Sequence, residues 1–240
     1  MTALRSATIA AVVGTVLALM APAKTLFAQG GGNPNPGVLP PNSSPFGRTY
    51  PEWSAAWLQW AFSQPVSTNP NFDPTGALAN NAQSGPVFFL ASVINLSGTV
   101  ERTFSVPAGR AIFFPITTIE GDNACVEPPL TMDQLRAGAA ALLATVEELH
   151  ASVDGVPLRD LPRYRVISPV FSYTLPASDN LAQFFGCDIS GAVSPAVSDG
   201  FFILLAPLSR GRHDVRFGAT FGPGNNNFQF EVVDHMTIGP

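Results

Sequence analysis

Two histidines stand near the C-terminus in "RHDVRFGATFGPGNNNFQFEVVDHMTI", His213 and His235, each beside an aspartate, Asp214 and Asp234. A hairpin turning about Gly222–Asn227 would bring His213 roughly opposite His235. Two imidazoles with two carboxylates suit a transition metal, or an acid and a base. The plainer reading is polar positions on a solvent-facing strand. A second group is rich in oxygen: Glu120, Asp122 and Asn123 in "IEGDNAC", with Asp73 in "FDPTG". Hard oxygen ligands on loops suit Ca2+, although Ca2+ usually takes six to eight of them, so the expectation is either no cofactor or Ca2+. "DPTG" also has the composition of an Asx turn. His150 is expected to end a helix, where a cation complements the helix dipole.

Several chemistries are disfavoured. There is no G-x-S-x-G elbow, no H-E-x-x-H and no G-x-G-x-x-G. The first 28 residues read as a secretory signal, with Arg5 ahead of the apolar run "ATIAAVVGTVLALMA" and cleavage positions after Ala23 or Ala28. The protein is therefore expected to be secreted or periplasmic, with no stable membrane anchor after cleavage. Cleavage would remove Arg5 and Lys24, leaving 10 basic against 17 acidic residues, a formal charge of −7. Lys24 is the only lysine, so a lysine nucleophile, a Schiff base and a P-loop are excluded from the mature chain. A mildly acidic chain lacks the basic footprint of a nucleic-acid binder. Cys125 and Cys187, the only cysteines, are expected to form one disulfide, worth roughly 4 kcal/mol on the chain-entropy model. That bond would pin the "EGDN" loop near "FFGCDIS".

The elements that must position these residues begin after "QGGGNPNPGVLPPNSSPFGR" (29–48), whose Gly, Pro and Asn content predicts a flexible tether. A single domain is expected over 49–240. It opens on a helix over about 50–63, with a capping box at Thr49 and Glu52 and Pro51 in the first turn. Trp53, Trp57 and Trp60 follow i, i+4, i+7 spacing and share one face. Burying three indoles would contribute on the order of 15 kcal/mol at most, so a core staple is favoured over a sugar platform or a membrane contact. Strands are predicted over 86–93, 99–106 and 110–119. In the second of these, Arg102 interrupts the apolar face and should lie at an edge or pair with a carboxylate. Thr131 and Gln134 start a second helix, and Leu135, Ala139, Leu142, Val146 and Leu149 extend it over about 131–150. The C-terminal half returns to strands, with an Asp154–Gly155 hairpin signal and "FFILLAPL" as a strand buried on both faces. The expected fold is a mainly β, antiparallel β-sandwich, jelly-roll-like, with two packed helices.

Several stretches together resemble a group of secreted bacterial β-rich proteins with a Trp-rich N-terminal helix. They are "YPEWSAAWLQWAFSQP", "DPTG", "QSGPVFFLA", "VPAGRAIFFPI", "VDGVPL", "SPVFSYTLP" and "DGFFILLAPLSRGRHDVRF". The resemblance implies one β-rich domain and carries no activity or catalytic residue. The functional expectation is a non-catalytic module binding an extracellular ligand or partner, with a saccharide or cell-envelope polymer as the default by fold analogy. The alternatives are an extracellular hydrolase or lyase acting on a polymer, and a structural subunit of an extracellular assembly. Catalysis would draw on Asp73, Glu120, Asp122, His213 or His235. Two or more of them in one concave pocket with Arg102 or Arg110 would favour the enzyme, and scatter over convex surface would count against it.

Overall fold

A computed structural model describes residue 35 and residues 37–94, 97–223 and 227–239. The expected signal segment over 1–28 lies outside the described residues. Among the described residues the chain is mainly β, with two five-stranded sheets and three α-helices. No helix among the described residues is long and apolar enough to cross a membrane.

Helix α1 spans Tyr50–Phe62 and starts at Thr49, whose hydroxyl accepts from the Glu52 N–H while the Glu52 carboxylate accepts from the Thr49 N–H. This reciprocal cap satisfies two amides that the first helical turn leaves unpaired. Its three indoles are all buried. Trp53 and Trp60 lean on Phe89, at ring separations of 6.2 and 5.6 Å, and Trp53 also meets Phe113. Each indole N–H donates to a carbonyl: Trp53 to Pro45, Trp57 to Leu90 and Trp60 to Asn81. Large rings therefore enter the core without leaving a donor unmet.

The first sheet contains β1 (Val87–Phe89), β3 (Ala111–Asp122), β8 (Gly191–Leu205) and β6 (Arg165–Ile167) in that order. β7 (Phe171–Leu175) also pairs with β8. The second sheet runs β2 (Gly98–Pro107), β10 (Gln229–Gly239), β9 (Gly211–Phe221), β4 (Val146–Val153) and β5 (Val156–Pro157). Phe114 of β3 and Phe217 of β9 meet at 4.7 Å between ring centres, joining the two sheets through one core. Two pairings depart from the all-antiparallel expectation: β1 lies parallel to β3, and β2 parallel to β10. The tight connection from β2 to β3 passes the chain from one sheet to the other, so neither strand can pair with its sequence neighbour as a hairpin.

Three further expectations need correction. The second helix, α2, covers only Met132–Leu143, and Val146 and Leu149 belong to β4. A β-bulge between Val146 and Glu148 inserts one residue into the strand, so its inward positions fall three apart and imitate helical spacing. His150 consequently lies on β4, with Nε2 3.3 Å from Glu231 Oε1, rather than at a helix end. The tether also fails over its second half. Val38 bridges Leu205, the Leu39 N–H donates to the Leu204 carbonyl, and the Tyr50 hydroxyl donates to the Leu39 carbonyl. Residues 29–34 and 36 lie outside the described residues.

Candidate functional site

The strand predicted to stop at residue 119 continues to Asp122. This extension moves Glu120 and Asp122 off a loop and onto one face of β3, because alternate strand residues point the same way. Asp122 accepts from the Tyr173 hydroxyl on β7 and, through Oδ1, from the Ala124 N–H at 2.8 Å. Glu120 lies against Asp122, and its Oε1 is buried with no hydrogen-bond partner. Burial, with the charge of Asp122 added to it, pushes the Glu120 carboxyl up to about 9, so it holds its proton at neutral pH. Burial also raises the Tyr173 hydroxyl, helped by Glu120, which keeps it a donor to Asp122.

Glu120 lines a cavity of about 270 Å³. Its aromatic walls are Trp57 and Phe62 of α1, Phe185 at the end of α3 (Leu181–Phe184), and Phe221, Phe228 and Phe230 at the turn end of β9 and β10. The Cys125–Cys187 disulfide, with Cα atoms 6.1 Å apart, ties the chain just beyond Asp122 to the chain just beyond Phe185. The sequence suggests this proximity through the cysteines alone. It has no short-range signal for Tyr173 or for the phenylalanines, which arrive from four separate parts of the chain.

Asp73 belongs elsewhere. Its Oδ1 accepts from the Thr75 N–H and hydroxyl, at 2.8 and 2.6 Å, and its Oδ2 from the Leu78 N–H at 2.7 Å. Burial would raise its carboxyl, but these donors and the nearby Arg102 outweigh it and hold the value down. Arg102 is buried on edge strand β2, where its guanidinium donates to the carbonyls of Asp73, Ala91 and Ser92 at 2.7–2.9 Å. Asp234, fully buried, lies 3.8 Å from it with both carboxylate oxygens lacking a hydrogen bond. Burial lowers Arg102 and raises Asp234 to about 7, so desolvation outweighs attraction for both partners. Arg110 is far from the carboxyl pair, donating to the Ser84 carbonyl at 2.7 Å and lying over the Phe88 ring.

The two histidines do not face each other. The register pairs His235 with Asp214 and His213 with Met236, a shift of one residue from the expected pairing. One residue is one face in a strand, so the imidazoles point to opposite sides of the hairpin. His235 sits between Asp214 and Glu101, each 2.7 Å from a ring nitrogen, and these two bonds raise its pKa. His213 Nδ1 lies 2.8 Å from Asp154, and its Nε2 lies 3.0 Å from the Ser209 carbonyl and 3.2 Å from the Ser209 hydroxyl. A Ser–His–Asp order is present, but the Ser209 carbonyl lies closer to Nε2 than the Ser209 hydroxyl does, so this ring nitrogen is not directed at the hydroxyl alone. Among the described residues, no group of three or more His, Cys, Asp or Glu is placed to hold a metal ion. Asn123, offered as a Ca2+ ligand, spends its side chain on both backbone groups of Leu130. Of the five candidate acid/base residues, Glu120 and Asp122 lie against each other, His213 and His235 border one pocket without facing each other, and neither Arg102 nor Arg110 joins either pair.

No protein-family model matches the chain, and no curated protein matches it. Among solved structures, PbICP-C in complex with falcipain-2 is 8% identical, with 65% of this chain and 100% of that chain covered and a TM-score of 0.26. That likeness carries no argument about fold or function.

Proposed function

We propose that the protein is a secreted β-sandwich module that binds a small, mainly apolar extracellular ligand in the cavity between α1, β3 and α3. The observation that carries this reading is a cavity of about 270 Å³ lined by six aromatic residues, with Glu120 the one ionisable residue in its lining. Concave apolar sites with few placed polar groups are the usual form of small-molecule sites. The sandwich is supported by two sheets joined across Phe114 and Phe217, although the parallel pairs β1–β3 and β2–β10 set it apart from a simple jelly roll. A saccharide platform has less support, since stacking on a sugar needs exposed indoles and all three are buried.

The test uses Trp57 as a reporter in the cavity wall. Titration with 2-phenylethanol should give a saturable change in tryptophan emission with a Kd of about 1 mM, given roughly 0.5 kcal/mol for each non-hydrogen atom. Filling the cavity with Val93→Phe should abolish it. No saturable change in the wild type would overturn the reading.

A second reading is an acid catalyst, favoured by one observation. Glu120 retains a proton beside Asp122, the arrangement by which a carboxylic acid serves as proton donor at neutral pH. Turnover of an extracellular polymer, lost in Glu120→Gln, would replace the binding reading with that one.

A further inference from the structure

The open edge of β3 narrows the ligand class, an inference that rests on the binding function proposed above. β8 pairs with β3 over residues 112–122, whereas β1 covers the other edge only over residues 111–113. Past Leu90, whose N–H donates to the Phe113 carbonyl, the chain turns away from β3. Arg102 holds the carbonyls of Ala91 and Ser92, and Asn71 accepts from the N–H groups of Ser92 and Ile94. The cavity lies where the two chains part, lined by residues 92–94 and by residues 117–120.

The main chain of β3 turns hydrogen-bonding groups toward this gap. Both the N–H and the C=O of Ser198 are engaged with Ser168, so they point away from β3. Glu120, the partner of Ser198 in the ladder, therefore directs its own N–H and C=O away from β8. Thr118 does the same opposite Gly200, where an added Cβ would lie 2.6 Å from the Thr118 Cβ, the close approach of a pair that exchanges no hydrogen bonds. Among the described residues, these main-chain groups of Thr118 and Glu120 have no partner.

β1 shows how a strand on this edge is accommodated. Its Phe89 packs on Trp53 and Trp60 of α1 and its Phe88 on Phe104 of β2, because alternate side chains reach opposite faces of the sheet. The cavity continues that arrangement, with Trp57 and Phe62 on α1, and Phe221, Phe228 and Phe230 on or beside the second sheet. A compact hydrocarbon would fill the space but strip Thr118 and Glu120 of water and return no hydrogen bonds, which is costly. An extended peptide brings donors and acceptors at the spacing of the strand itself. No basic residue lines the cavity, and Glu120 holds its proton at neutral pH, so uncharged side chains suit it. We infer that the cavity takes an extended, apolar peptide segment of another protein, added to the free edge of β3 in line with β1. Its main chain pairs with Thr118 and Glu120, and its successive side chains enter the two sets of rings.

Two peptides test this without altering the protein: acetyl-Ser-Val-Leu-Val-Ser-amide, and the same sequence N-methylated at its three central residues. Methylation keeps every side chain and removes the donors that a strand needs. At pH 7 the Thr118 and Glu120 amides should exchange freely in the protein alone, and at least tenfold more slowly with saturating peptide. Tryptophan emission should show the methylated peptide binding at least tenfold more weakly. Equal binding of the two peptides, or binding that leaves both amides in free exchange, would overturn the peptide inference. Binding of 2-phenylethanol without binding of the peptide would also overturn it, and would leave the binding function standing. Failure of both kinds of ligand would overturn the binding function as well. Protection in the absence of peptide would give the edge to another occupant and overturn the inference. That occupant would be a second copy if protection rises with protein concentration, or this chain's own N-terminal segment if deleting residues 1–34 removes it.

Discussion

Glu120 offers a perturbation whose size and sign follow from its surroundings. Its carboxyl sits near 9 in the folded protein, against 4.5 for an unrestrained glutamate. Between those values the folded state keeps a proton that the unfolded chain gives up. The stability tied to that proton is fully present below pH 4.5 and is lost as pH rises through about 9. Over most of that window the slope approaches one proton, about 1.4 kcal/mol per pH unit. Glutamine keeps the shape, has nothing to titrate, and can still donate to Asp122. The wild type should therefore lose roughly 3 kcal/mol relative to Glu120→Gln between pH 5 and pH 7. Asp234, pushed up to about 7, and His235, raised by Asp214 and Glu101, titrate in the same range but occur in both proteins, so they cancel in the difference. Urea unfolding of the two proteins at pH 5, 6, 7 and 8 reads that difference directly. Parallel stability curves would refute the reasoning and place an ionised Glu120 in the folded cavity.

Two other substitutions probe what frames the site. Arg102→Met removes the donors to the Asp73, Ala91 and Ser92 carbonyls and strands Asp234 in the core. It should cost about 3–5 kcal/mol in urea unfolding, and a loss under about 1 kcal/mol would show that this cluster is not a structural tie. Replacing Cys125 and Cys187 together by serine opens a loop with a sequence separation of 62 and should cost roughly 4 kcal/mol. The same assay, with and without reductant on the wild type, should give matching losses.

Legibility from sequence followed the range of the interactions. The capping boxes at Thr49 and Thr131 and the tryptophan spacing of α1 are local, and a few neighbouring residues specify them. The burial of Arg102 was open to inference because an arginine interrupting an apolar alternation must find partners, and it lies on an edge strand near a carboxylate. Where one residue decides, pattern alone misled. The bulge in β4 disguised Val146 and Leu149 as helical positions, and a one-residue difference in hairpin register separated His213 from His235. The cavity was the least legible part. Glu120 and Asp122 could be named from their type, but Tyr173, Phe185 and Phe221 reach them only through pairings between distant strands.

The pairing order also governs when the molecule can exist. β8 holds β3, β6 and β7 together, so the first sheet has no centre until residue 205 has been made. β2 waits longer, since Gly98 and its successors take their partners from Phe230 onward. Such long-range parallel pairing folds slowly and leaves strand edges open in the meantime. A chain shortened by its last eleven residues would leave β2 without a neighbour and Arg102 without Asp234. Assembly is therefore a late, whole-chain event, and α1, too short to be stable alone, has nothing to cover its tryptophans until the sheet is built.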